Sequence, residues 1–162
     1  MNKLLYAIIA LLISTNQVIA ADATGTASAT IVAPIAISAG AAMNFGTMAP
    51  TGTAGTVLVN TSGGTTATNV TELGSGSSSQ GVFTVTGEGS ATYSLTVPTT
   101  DVTLTSGSDT MVVNAFNHDA GATPAIASGG TSTINVGATL NVGSAQAVGS
   151  YTGTYTVTVN YN

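Results

Sequence analysis

The sequence predicts an all-β sandwich, and three observations carry the prediction. Apolar residues alternate with period two along much of the chain, and helical periodicity is absent. Gly-rich turn signals recur between the alternating runs. The polar positions hold Thr instead of Lys or Glu: 162 residues contain 30 Thr and 16 Ser, and Thr joins a β-branched carbon to an uncharged hydroxyl. This length allows at most one ordinary domain.

The elements follow in order. Ala27, Ala29, Ile31, Ala33, Ile35 and Ile37 share one face of the first alternating stretch, and Pro34 divides it or marks an edge. Thr56–Asn60 reads as a short strand, and Val82–Thr86 alternates weakly. Tyr93, Leu95 and Val97 face one way until Pro98 ends the strand. Met111–Phe116 is a mixed run. Ile134 with Val136, then Leu140 with Val142, read as a hairpin around Gly137-Ala138. The strongest pattern comes last, with Tyr151, Gly153, Tyr155, Val157, Val159 and Tyr161 set against Thr152, Thr154, Thr156, Thr158 and Asn160. Turn signals stand at Thr51-Gly52, Ser62-Gly63-Gly64, Gly74–Gly76, Gly87-Glu88-Gly89, Ser106-Gly107 and Ser128-Gly129-Gly130. Ser75–Ser79 reads as a low-complexity loop, and there is no internal repeat. Short strands at near-regular spacing between such turns suit a sandwich.

Residues 1–20 read as a secretory signal. Lys3 supplies the positive start, Leu4–Ile13 the apolar run, and Val18-Ile19-Ala20 a small-residue cleavage site. The run is too short to span a bilayer, and no later segment reaches about 18 uninterrupted apolar residues. The expected mature protein is therefore secreted and not membrane-spanning. Residues 21–32 form an N-terminal extension, and 33–162 the sandwich domain.

Composition excludes several functions. The chain has no Cys, so disulfides and Cys-based metal sites are out. Lys3 is its single Lys or Arg, which leaves nothing to neutralise phosphates, and no nucleic acid partner is expected. Once the signal is removed, Asp22, Glu72, Glu88, Asp101, Asp109 and Asp119 have no Lys or Arg to pair with. The fold must rest on apolar burial and hydrogen bonds. No catalytic constellation is visible, and the chain is read as a non-enzyme without a cofactor. His118, the lone His, stands between Asn117 and Asp119 and reads as a polar turn after the Met111–Phe116 strand. Asp101, Asp109 and Asp119 leave calcium open, although no EF-hand pattern supports it.

The sharpest signal lies at the C-terminus, where the chain ends almost on its last strand. If Tyr151–Tyr161 is the penultimate strand of an immunoglobulin-like β-sandwich, the fold lacks its last strand. The resulting groove would expose core side chains and unpaired backbone groups. A strand from elsewhere would fill it by donor-strand addition. The natural donor is Asp22–Val32, which alternates, is rich in small residues and has no charge beyond Asp22.

Gly149, Tyr151, Tyr155, Val157, Val159 and the penultimate Tyr161 form a C-terminal pattern that resembles chaperone–usher pilins, nearest to the archaic type. Met43-Asn44-Phe45-Gly46-Thr47-Met48 looks like a segment of those subunits. It also resembles an uncharacterised family of small secreted bacterial domains, in which an NFG segment precedes a Gly-Thr-Val strand, here Gly55-Thr56-Val57. The resemblance implies a structural subunit of a bacterial surface fibre, a fimbria supporting adhesion or biofilm, exported through the periplasm. Its partners would be further copies or related subunits, a periplasmic chaperone and an outer-membrane usher. Ala27, Ala29 and Ile31 would be the donor-strand residues, and Gly149, Tyr151, Tyr155, Val157, Val159 and Tyr161 would form the C-terminal assembly strand along the groove. A self-complete secreted coat or matrix sandwich and a glycan-binding module remain as alternatives.

Overall fold

The computed structural model describes residues 20–74 and 78–162. Residues 1–19 of the stretch 1–20 read as a secretory signal lie outside the described residues, as do positions 75–77 of the serine-rich stretch. The chain divides into two units, Met1–Thr30 and Ile31–Asn162. In the first, residues 20–30 carry no strand.

The second unit is all-β, with every strand pairing antiparallel. Its strands are β1 (Ala36–Ala39), β2 (Asn44–Phe45), β3 (Met48–Pro50), β4 (Gly55–Val59), β5 (Thr65–Thr68), β6 (Val70–Glu72), β7 (Ser78–Ser79), β8 (Gly81–Thr86), β9 (Tyr93–Thr96), β10 (Val102–Ser106), β11 (Asp109–His118), β12 (Thr131–Val142) and β13 (Thr158–Tyr161). The largest sheet runs β1-β8-β12-β11-β10, with β4 added to β12 and β5 to β4. Three two-stranded sheets, β9–β13, β2–β7 and β3–β6, complete the unit.

β12 organises the large sheet. Its first half pairs with β8 through Thr131–Val136 and its second half with β4 through Ala138–Val142, while β11 takes the opposite edge. The ladder to β11 shifts register between Asn114 and Asn117, where Ala115 adopts a φ of 50°. A bulge bends and twists its strand, and the sheet curls into a half-barrel.

The hairpin expected around Gly137-Ala138 is corrected here. Thr131–Val142 is one continuous strand. Gly137 is needed for close approach instead of a turn, since a Cβ there would stand 2.6 Å from the Val59 carbonyl and 2.7 Å from Asn117 Oδ1. Two other expectations shrink. Of the first alternating stretch, only Ala36–Ala39 is a strand, and of Tyr151–Tyr161 only Thr158–Tyr161. Asn117 and His118 end β11 and are not part of a turn. Ser78 and Ser79 form β7, not loop.

Two apolar clusters fill the interior, and no polar residue is buried as a whole among the described residues. The first joins Val85, Ile134 and Val136 of the large sheet to Tyr93 of β9, Val159 of β13 and Val157 just before it. The second gathers Val57, Met111, Val113, Ala138, Leu140 and Val142, with Met43, Phe45 and Met48 packed against it. These residues come from alternate positions, so each strand sends one face inward.

Candidate strand-binding cleft

The second cluster is not fully roofed. A cleft of about 660 Å³ opens above it. Val102 and Leu104 of β10, Met111 and Val113 of β11, and Leu140 and Val142 of β12 make its floor. One wall is the 42–48 segment and the other is the 146–153 segment.

The first wall turns on Gly46. Its φ of 82° suits glycine, and its N–H donates to Asn44 Oδ1 at 2.8 Å. That turn separates β2 from β3, which pair outward with β7 and β6.

The second wall is held by Gln146 and two glycines. Gln146 Nε2 donates to the Thr110 carbonyl at 3.1 Å and to Tyr151 Oη at 2.7 Å. The Tyr151 hydroxyl donates to the Ala147 carbonyl at 2.8 Å. Gly149 and Gly153 lie against β10: a Cβ at the first would strike Ser106 Oγ, and one at the second would stand 2.7 Å from the Thr103 carbonyl. Between them Thr152 exchanges both backbone bonds with Thr105. The chain then leaves the edge of the large sheet and crosses to β9. Across that crossing, residues 153–157 belong to no strand and enter no backbone hydrogen bond among the described residues.

The residues singled out in the C-terminal pattern therefore separate. Gly149, Tyr151 and Tyr155 border the cleft. Val157, Val159 and Tyr161 belong to the first cluster. Tyr155 stacks edge-on against Phe83 with ring centroids 5.9 Å apart and tilts on Phe116 at 5.2 Å. Its hydroxyl stands over the bare Cα of Gly81, and the Tyr161 hydroxyl stands over Gly87. From one pair to the next both segments advance six positions, so β8 and the final segment run alongside one another. Burial raises the Tyr155 hydroxyl above its usual pKa.

Tyr161 also ties down the start of the second unit. Its hydroxyl accepts from the Glu88 N–H at 2.6 Å and donates to the Ala33 carbonyl at 2.8 Å. The Ala33 N–H donates to Glu88 Oε2 at 3.3 Å. Just before this clamp Ile31 is 96 % exposed. Ala27 and Ala29 lie in the strandless 20–30 segment of the first unit.

The acidic candidates are not gathered. Asp101 precedes β10 and Asp109 follows it, at opposite ends of a five-residue strand, about 16 Å apart. Asp119 instead accepts from the Asn135 N–H at 2.9 Å and from Asn135 Nδ2 at 2.6 Å. Tyr93 has its pKa raised by burial and then by the nearby Asp119 charge. His118 Nδ1 is buried without a hydrogen-bond partner. Among the described residues no three His, Asp or Glu side chains gather to hold a metal ion. Gln146 was not singled out from sequence, whereas Met43 and Met48 bound the segment picked out by resemblance and Met111 opens the mixed run.

A family model described as a domain of unknown function (DUF4402) matches residues 35–161. No curated protein and no solved structure matches the chain.

Proposed function

The chain belongs to the DUF4402 family, and from that premise we propose that it is a structural subunit of a bacterial surface fibre. In this reading the domain is an immunoglobulin-like sandwich one strand short, and the N-terminal extension of a second copy supplies that strand. The observation that carries the reading is the cleft: an apolar floor bordered by Gly153 and Tyr155, which belong to a stretch, 153–157, whose backbone groups have no backbone partner among the described residues. An extended strand laid there would supply hydrogen bonds to that backbone and small side chains to the floor. Asp22–Val32 has the chemistry for it, with Ala27, Ala29 and Ile31 on one face and no Lys or Arg. Donation from each copy to the next is head-to-tail and does not close, so it yields a fibre. Export through the periplasm, a chaperone that covers the cleft before assembly and an outer-membrane usher belong to the same proposal.

A self-complete secreted coat or matrix domain is the second reading. It is favoured by the floor itself, since Met111, Leu140 and Val142 are only 7 %, 3 % and 4 % exposed without a donor.

Ile31→Asp separates the two. The position is almost fully exposed, so folding is expected to be unaffected, while an Asp entering an apolar cleft is disfavoured. If the fibre reading holds, the exported parent protein forms detergent-resistant oligomer ladders. The variant stays monomeric and binds a synthetic Asp22–Val32 peptide. A parent that is a stable monomer, and a variant that ignores the peptide, would establish the self-complete domain instead.

A further inference from the structure

Apart from Met1, the chain has three methionines, Met43, Met48 and Met111. All three line the cleft. Met111 lies on its floor at 7 % exposure, and Met43 and Met48 are half-buried on its wall. They meet in one apolar cluster. Unbranched thioethers adapt to irregular apolar surfaces, which suits a site that must close over an incoming strand. The same thioethers are the chain's most readily oxidised side chains, because Cys and Trp are absent.

Resting on the strand-donation reading, we propose that Met43, Met48 and Met111 are an oxidation site that gates the cleft, taking a peroxide-class oxidant as its reagent. A sulfur lone pair attacks one peroxide oxygen. With hydrogen peroxide the S–O bond forms as the O–O bond breaks, the sulfur loses two electrons, and the proton of the transferred oxygen passes to the departing hydroxide, which leaves as water. The product sulfoxide adds a strong acceptor to an apolar cluster whose Val113, Leu140 and Val142 offer no donor side chain. Seating a strand would then bury that oxygen unpaired, which is unfavourable. A strand already in place covers the sulfurs. Oxidation therefore stops free subunits from joining and spares those already joined. Sulfoxide formation is reversible by methionine sulfoxide reductases, so the block can be lifted.

The test uses the full exported Ile31→Asp variant, which cannot donate its own strand, with Asp22–Val32 peptide as the probe. Dilute hydrogen peroxide is applied with and without peptide, and sulfoxide at each methionine is read by mass spectrometry. Peptide is expected to slow oxidation of Met43 and Met48 at least about tenfold. Prior oxidation is expected to weaken peptide binding at least about tenfold, the order expected for burying an unpaired acceptor. Methionine sulfoxide reductase with a thiol reductant restores binding. Met48→Leu, and separately the triple Leu variant, test the same point, since Met-to-Leu swaps conserve volume and fold. The triple variant is compared with itself before and after peroxide, and its peptide affinity should not change on treatment. Peptide binding that is equal before and after full oxidation overturns the gate and leaves the fibre reading standing. A variant that never binds peptide overturns both.

Discussion

Gly81 and Tyr155 offer a test of how the C-terminal segment is seated. Gly81→Ala adds one methyl, and that methyl falls on the Tyr155 hydroxyl. The next atoms stand at 3.3 Å (Tyr155 Cζ) and 3.6 Å (Phe83 Cε2), so the conflict is concentrated on one oxygen. The ring cannot retreat freely, because Phe83 and Phe116 hold it on two sides. Each aromatic contact is worth about 0.5–1.5 kcal/mol, and forcing a methyl into a packed site costs about 1–3 kcal/mol. Gly81→Ala is therefore expected to destabilise by about 2–4 kcal/mol. Tyr155→Phe alone should stay within about 1 kcal/mol of the parent. The double variant removes the oxygen and with it the conflict, so its loss should fall below about 1 kcal/mol, a coupling of at least about 1 kcal/mol. Urea unfolding of all four proteins measures the cycle. Equal losses for Gly81→Ala in the parent and in the Tyr155→Phe background would refute the packing argument.

Other expectations follow from the same geometry. Tyr161→Phe removes the bridge between the Glu88 N–H and the Ala33 carbonyl, costing about 1–2 kcal/mol and speeding hydrogen exchange at the Glu88 amide. Gly87→Ala meets both the Tyr161 hydroxyl and Ile126 Cδ1, the latter at 2.8 Å, so Tyr161→Phe should rescue it only in part, as read by thermal melts. Tyr93 and Tyr155 have raised pKa values, so the folded state holds their protons longer than the unfolded chain does. Their contribution is complete below about pH 10 and is lost as pH climbs through the folded values. Urea midpoints followed into alkali should fall, and Tyr155→Phe should make that fall shallower.

Much of the sheet was legible because alternation and burial coincide. Val57 and Val59, Val85 and Tyr93 are buried at the positions that alternation selects. Turn signals were equally direct: Gly52, Gly63, Gly74, Gly107 and Gly130 all adopt positive φ. The errors have physical causes. Gly137 looked like a turn because sequence does not distinguish a glycine that frees φ from one that admits a neighbouring backbone. The last stretch looked like one strand because its alternation is unbroken, yet Gly153 against Thr103 diverts it from one sheet to another. β10 was passed over although Val102 and Leu104 alternate, because two apolar residues among Thr and Ser are a weak pattern. β2, β3 and β7 are two or three residues long and depend on distant partners, which no local pattern reveals. For the cleft, one wall fell within a segment picked out from sequence and the other began with Gln146, whose hold on Thr110 is a tertiary contact.

The position of β12 along the chain has a consequence for the order of events in folding. It is the common partner of β4, β8 and β11, strands drawn from residues 55–118, yet it occupies 131–142. In the proposed export, everything upstream reaches the far side of the membrane before the strand that joins it. Until then the edges that await β12 have no ladder to complete, and unpaired edges invite association with other chains. Loop closure over such separations is slow relative to local hairpin formation. On that proposal maturation is governed by the arrival of one late segment, and substitutions within 131–142 are expected to slow folding more than equally destabilising changes in β5 or β10.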